Sequence, residues 1–359
     1  MRVKHDYISK NNFDIIFKNN IPLLDVRAPI EFVKGALPNS INIPLLNNKQ
    51  REQIGICYKK YGKKKAMDLG YSIFDNQKIT HRQQSWDRFF QQHKNAYLYC
   101  ARGGQRSKIS QQWLTDYGIK MPRIEGGFKA LRQYLLQQLD DICINKEFVV
   151  IGGLTGVNKT TILPEVNNSL DLEKLANHKG SVFGNYATAQ PKQINFENSL
   201  ITNLMKINHK KIIIEDESAK IGKINLPYVF WQKKQQSPLV ILKEDKNIRL
   251  NNLYQSYVTD KIKDFENYFD KRTSQVKFKD FWHNGIDKIK DRLGGGLHQQ
   301  IKSLLEPALM NQDKKSFIQI INLLTDKYYD PLYQHQLDNK KDKIIFTGNR
   351  QQVIYFLQK

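Results

Sequence analysis

Apolar residues gather along the chain in short runs that alternate with stretches of helical spacing. Leu23-Leu24-Asp25-Val26, Ile41 to Ile43 and Ala96-Tyr97-Leu98-Tyr99 read as strands. A helix is predicted to start near Ser107, and another carries Phe128, Leu131, Leu135 and Leu139 at steps of three and four residues. A second series opens at Phe148-Val149-Val150-Ile151 and continues through Ile212-Ile213-Ile214 and Leu239 to Leu242. Beyond residue 246 the strand signals fade into Lys/Tyr/Phe-rich helical pattern, broken at Gly294-Gly295-Gly296, with one late apolar run at Ile344-Ile345-Phe346. Strands alternating with helices predict parallel α/β architecture rather than a sandwich. Three segments follow: an α/β domain over 1–140, a second α/β core over 146–246, and a mainly helical region over 247–359 that returns one strand to the second sheet.

Composition adds one unusual fact. The 359 residues carry 57 Lys and Arg against 35 Asp and Glu, a formal charge of +22. A folded enzyme needs no such excess, so a polyanion, nucleic acid before others, is the expected partner. A general bias toward Lys, Asn, Gln and Ile is the plainer source of the same charge. Its densest run is Tyr58-Lys59-Lys60-Tyr61-Gly62-Lys63-Lys64-Lys65, where tyrosines interleave with lysines. Cys57, Cys100 and Cys143 are odd in number and form no CxxC pair, which excludes a zinc ribbon and a disulfide framework. The N-terminal seventeen residues scatter charge through any apolar stretch, and no run approaches a membrane span, so a cytoplasmic protein with no membrane partner is expected.

Two loops carry chemistry. In the first, Cys100 follows a strand and leads into Ala101-Arg102-Gly103-Gly104-Gln105-Arg106-Ser107, with Ser107 placed as a helix N-cap. Glycines let backbone N–H groups converge on an anion, and a helix N-terminus with two arginines favours a thiolate. The alternative is a buried structural cysteine, the fate expected of Cys143. In the second, Gly152-Gly153-Leu154-Thr155-Gly156-Val157-Asn158-Lys159-Thr160 follows a strand in the context of a Walker A loop, with a helix expected after it. Its amides, from Gly153, Thr155 and Gly156 onward, would surround a diphosphate, with Lys159 opposing the charge and Thr160 available to Mg²⁺. Asn158 stands where the glycine before the lysine is expected; asparagine tolerates a left-handed backbone better than other side chains. Glu215-Asp216-Glu217 ends the next strand where a Walker B carboxylate belongs, and Asp216 is the expected magnesium partner of Thr160.

Asp25-Val26-Arg27, Glu31-Phe32 and Gly35 to Pro44 resemble the front half of a rhodanese domain, and Cys100 falls where a rhodanese carries its sulfur-accepting cysteine. Asp25 and Arg27 read as a polar pair bracing the strand ends. Cys100 to Arg106 is Cys-x5-Arg, one residue longer than the usual sulfurtransferase loop and similar to a phosphatase signature. A rhodanese-like unit followed by a P-loop unit resembles the bacterial tRNA 2-selenouridine synthase family. The matching segments, spread over almost the whole chain, include Leu24 to Phe32, Cys100 to Ser107, Ile124 to Arg132, Asn177 to Gly184, Phe196-Glu197-Asn198, Glu215 to Ser218 and Tyr328 to Tyr333. The resemblance implies exchange at the wobble 2-thiouridine of tRNA. Geranyl diphosphate alkylates the sulfur, and selenium from selenophosphate, supplied by a selenophosphate-producing enzyme, then replaces the S-geranyl group. Cys100 would handle the selenium, Arg102 and Arg106 its phosphate, and Lys159 and Thr160 the geranyl diphosphate, with no tightly bound cofactor. The Lys59–Lys65 patch, His178 and Lys179 would touch tRNA, although His178 could equally cap a turn. The competing readings are a plain sulfurtransferase, a cysteine phosphatase, a P-loop kinase and a non-catalytic RNA-binding protein.

Overall fold

Parallel pairing runs through both main sheets, as apolar runs separated by helices require. The computed structural model describes residues 7–311 and 313–359. Residues 1–6, the start of the segment read above as lacking a leader-type core, lie outside the described residues, as does Gln312. The chain divides into two units, residues 1–142 with 192–206 and residues 143–191 with 207–359.

The first unit holds a five-stranded parallel sheet in the order Tyr7–Ile8, Arg123–Ile124, Tyr97–Tyr99, Leu23–Asp25, Ser40–Asn42. Leu23, Leu24 and Leu98 are fully buried, while the edge strand leaves Ile41 exposed. Because the strands are parallel, their carboxyl ends gather on one side, where Cys100 leaves the sheet. Helix Asn48–Ser72 starts at a reciprocal cap between Asn47 and Gln50 and is interrupted at Gly62, whose φ of 81° no helix contains. One segment inside the 146–246 span belongs here instead. Gln193–Lys206 packs on helix Phe13–Lys18. Asn195 accepts from the Ala36 N–H at 2.8 Å, Asn198 donates to the Ala36 carbonyl at 2.7 Å, and Arg132 holds both Glu197 and Asn198.

The second unit's parallel sheet runs Ile344–Gly348, Leu239–Leu242, Glu147–Gly152, Lys211–Glu215, Ser169–Leu170. The late apolar run is thus an edge strand of this sheet. Helices including Lys271–Lys288, Gly295–Asn311 and Lys314–Leu324 surround a separate core with Trp282, Ile286 and Phe317 at its centre. The helix expected after Lys159-Thr160 does not form. Two single turns, Lys159–Thr161 and Leu163–Glu165, take its place. Pro164 has no N–H to return to the Thr160 carbonyl, and its ring would collide there in a continuing helix. No helix among the described residues is long and apolar enough to cross a membrane.

Candidate functional site: a thiol loop and a phosphate loop

Cys100 is 2% exposed at the end of strand Tyr97–Tyr99. The carbonyls of Cys100 and Ala101 accept from Phe128 and Lys129 N–H at 2.9 and 3.0 Å, at the start of helix Gly127–Asn145. With those carbonyls held, the N–H groups of Arg102, Gly103, Gly104 and Gln105 have no carbonyl partner among the described residues. That is the amide cradle expected of an anion site. Gly103 (φ 63°) is required here, because a Cβ would stand 2.6 Å from the Gly126 nitrogen.

Helix Gln105–Asp116 is capped by Gly104, not by Ser107. Ser107 lies in its first turn, donating to the Gly104 carbonyl at 3.0 Å and accepting from the Cys100 thiol at 3.3 Å. It therefore positions the thiol rather than ending the helix. Arg106 is also reassigned. Its guanidinium grips Glu31 at 2.5 and 3.0 Å, and that carboxylate takes the Ala28 N–H as well. Burial would raise the Glu31 carboxyl, but Arg106 outweighs it and holds it below the usual range. Arg106 is thus neutralised by its own protein, and exposed Arg102, with no ion-pair partner among the described residues, is a cation left in the loop for a bound anion. Asp25 and Arg27 form a buried pair at 2.6 Å, with Arg27 4.0 Å above the Phe128 ring, and brace the strand ends.

A cleft of about 810 Å³ opens beside Cys100. Tyr58 and Lys63 of the basic run line it, whereas Lys59, Lys60, Lys64 and Lys65 of the same helix are exposed outside it. Cys57 is half-buried, Cys143 is buried, and no disulfide joins any of the three cysteines.

In the second unit, Asn158 takes the left-handed conformation (φ 60°, ψ 47°) that the missing glycine would have supplied. Gly156 (φ 87°) lets the loop approach the Arg249 carbonyl, which a Cβ would meet at 2.8 Å. The loop is fastened by residues distant in sequence. Arg249 donates to the Thr155 carbonyl at 2.9 Å and pairs with Asp330 at 2.6 Å; Asn252 donates to the Gly156 carbonyl at 2.9 Å. The Tyr333 hydroxyl accepts the Gly153 N–H, and Lys159 folds back onto the Gly153 carbonyl at 3.1 Å.

The acidic cluster divides in two. Asp216 is not the partner of Thr160: it is held by Lys234 at 2.8 Å and Lys340 at 3.0 Å. Burial would raise its carboxyl, but the two ammonium groups outweigh burial and hold it below the usual range. Thr160 instead donates to Glu215 at 2.5 Å, with Glu173 at 3.4 Å. Burial with the charges of Glu217 and Glu215 holds the Glu173 carboxyl high; burial with Asp171 and Glu217 does the same for Glu215. Burial also raises Glu217, against the pull of Lys159. Glu215 Oε2 is buried without a hydrogen-bond partner. Among the described residues no three His, Cys, Asp or Glu side chains form a complete metal cage. Magnesium seldom uses one; it takes one or two protein oxygens and completes its shell with water and substrate phosphates. Thr160 and Glu215 fit that pattern.

His178 is buried and Lys179 is half-buried. His178, 4% exposed, is wedged between Gly184 and Gly222, where a Cβ would meet its ring at 2.6 Å in each case. Burial lowers its pKa, and its backbone pairs with Asn185 across the turn. Lys179 donates to Ser256 at 2.6 Å, lies near the Tyr186 and Tyr257 rings, and lines the same cavity of about 550 Å³ as Gly153, Lys159, Thr160 and Glu217. Glu173, Arg249 and Asn252 escape sequence reasoning, and Pro164 was the available signal for the broken helix.

These features define a class: a rhodanese-like domain joined in one chain to a P-loop-type α/β unit. The rhodanese-like domain family matches residues 14–134, and the family described as the tRNA 2-selenouridine synthase AAA domain matches residues 146–359. A tRNA 2-selenouridine synthase of Shewanella frigidimarina is 40% identical over 361 residues, covering 99% of each chain. Those of Bordetella petrii and Pseudomonas syringae pv. tomato are each 38% identical over 356 residues, covering 97% of this chain and 95% and 97% of theirs. The chain belongs to the tRNA 2-selenouridine synthase family.

Proposed function

We propose that this protein converts wobble 2-thiouridine of tRNA to 2-selenouridine in two steps. In the first, the 2-thio sulfur attacks C1 of geranyl diphosphate and diphosphate leaves. In the second, the selenium of selenophosphate attacks C2, the C2–S bond breaks and geranylthiol departs with a proton; water then cleaves the Se–P bond, releasing phosphate and leaving 2-selenouridine. The observation that carries this reading is the Cys100 loop, where a thiol held by Ser107 faces unpartnered amides and the free guanidinium of Arg102. Such a site suits a small anion bearing a reactive chalcogen, with Cys100 acting on the donor and Arg102 and the amides of Gly103 to Gln105 holding its phosphate.

The phosphate loop suits the diphosphate of the alkyl donor. Lys159 and Lys179 supply positive charge in its cavity, and Thr160 with Glu215 would hold Mg²⁺, which offsets phosphate charge when bound. Without a following helix the loop lacks the axial dipole of a Walker A site, so the charge of a bound diphosphate falls to the lysines and the metal ion. The net charge of +22 suits tRNA, and the reading places the enzyme in the cytoplasm, downstream of an enzyme that makes selenophosphate.

The test uses an anticodon stem–loop bearing wobble 2-thiouridine, incubated with geranyl diphosphate and selenophosphate separately and together, then digested and weighed as nucleosides. Selenouridine with both donors, and only geranylated thiouridine with geranyl diphosphate alone, is the expected result. Thiouridine unchanged in every tube would overturn it.

A further inference from the structure

The cleft beside Cys100 is larger and more apolar than a selenophosphate needs. Its floor is the Cys100 loop, but its walls are aliphatic: Leu45, Leu46, Ile54, Met67 and Ile109. Ile54, Met67 and Ile109 are only half-buried, although they come from two helices, Asn48–Ser72 and Gln105–Asp116, that could have closed on one another. Open apolar walls carry a hydration penalty that a bound apolar group removes. Volumes of this size accommodate small-molecule ligands. Of the four aromatic residues that line it, Phe74 and Trp113 pack edge-to-face at 5.0 Å and 81°. Tyr58 and Tyr71 line it as exposed rings, so the cleft offers aromatic surface for a base beside the aliphatic walls. Charge sits around the opening, with Arg51, Lys63, Arg102 and Lys108 among the lining residues.

We infer that this cleft is the binding site for the branched ten-carbon chain on the S-geranylated wobble base. The inference rests on the two-step reading above. If selenium is exchanged at the Cys100 loop, the alkylated base must be presented there, and its chain must lie within reach of the thiol. The aliphatic walls receive the chain, the surrounding cations receive the phosphates of the anticodon loop, and the chain holds C2 of the base toward the amide cradle. Selection of a geranylated over an unalkylated base then follows from apolar contact and requires no polar readout of the base.

The experiment measures binding of full-length protein to three anticodon stem–loops that differ only at the wobble base: 2-thiouridine, S-methyl-2-thiouridine and S-geranyl-2-thiouridine. Wild type is expected to bind the geranyl form about tenfold to a hundredfold more tightly than the methyl form. Met67→Gln, nearly isosteric, and Ile109→Asn each bring that ratio close to one. The remaining affinity for the methyl form reports that the variant is folded, and Met67→Gln serves if Ile109→Asn is not. No geranyl preference in wild type, or a preference intact in the folded variants, overturns the inference. Selenium incorporation is scored in the same samples. Protein that prefers the geranyl form but never incorporates selenium keeps the cleft and defeats the two-step reading. Protein that incorporates selenium without any chain preference does the reverse.

Discussion

The two anion loops begin alike and end differently. Each follows a buried parallel strand, Tyr97–Tyr99 or Glu147–Gly152, and each uses residues at positive φ to turn its amides inward. After Gly104 the first loop runs straight into a twelve-residue helix, which adds the partial positive charge of its N-terminus to the amide cradle. After Asn158 the second runs into two single turns separated at Pro164. Its charge environment comes from side chains brought from elsewhere: Lys159 and Lys179 on one side, Glu173, Glu215 and Glu217 on the other. The anion cradle of the first site is therefore built by the backbone of one loop; the charge of the second is assembled by side chains from across its unit. Substitutions should separate them accordingly.

The largest effect should come from the thiol. Cys100→Ser is expected to reduce selenium incorporation by roughly a thousandfold or more while geranylation of 2-thiouridine persists, read by nucleoside mass after each donor is added. A variant that still made selenouridine at the wild-type rate would remove the thiol from the chemistry.

Asp216→Asn tests how far the second loop relies on buried charge. It leaves Lys234, whose side chain is 1% exposed, without its carboxylate, and should lower stability by about 3 kcal/mol in denaturant titration at neutral pH. Asp216 in the folded protein titrates below its ordinary value, so its contribution is fully present above the unfolded carboxylate pKa and is lost as pH falls through the folded one. The gap between wild type and variant should thus be constant from neutrality down to about pH 4 and close below it. A gap that widened with acid would show that the lysines do not hold this carboxylate.

Lys159→Ala should slow geranylation about tenfold to a hundredfold yet leave selenium exchange on a pre-geranylated stem–loop untouched. Equal loss in both assays would mean that the loops do not divide the work. The smallest change is expected from Asn158→Gly. The position is already left-handed, so removing the side chain should shift stability by only about 0.5 kcal/mol and tighten geranyl diphosphate binding no more than about threefold. A much larger gain would show that the asparagine side chain obstructs the phosphate.

What could be read from the sequence was whatever depends on neighbours along the chain. Cys100 with its glycines, the turn from Gly152 to Thr160, the left-handed role of Asn158 and the alternation of strand and helix are all local. Backbone geometry follows from residue type over a few positions, and these readings agree with the structure. Pro164 was equally local, and its weight against a Walker-type helix was visible in the sequence. The tertiary structure alone decided which charged groups meet. It gave Arg106 to Glu31, 75 residues away, and Asp216 to Lys340, 124 residues away. It turned Glu215 rather than Asp216 toward Thr160, seated His178 between two glycines, and drew helix Gln193–Lys206 into the first unit. An ion pair depends on distance and burial in space, and neither is encoded in spacing along the chain; a turn depends on φ and ψ, which are.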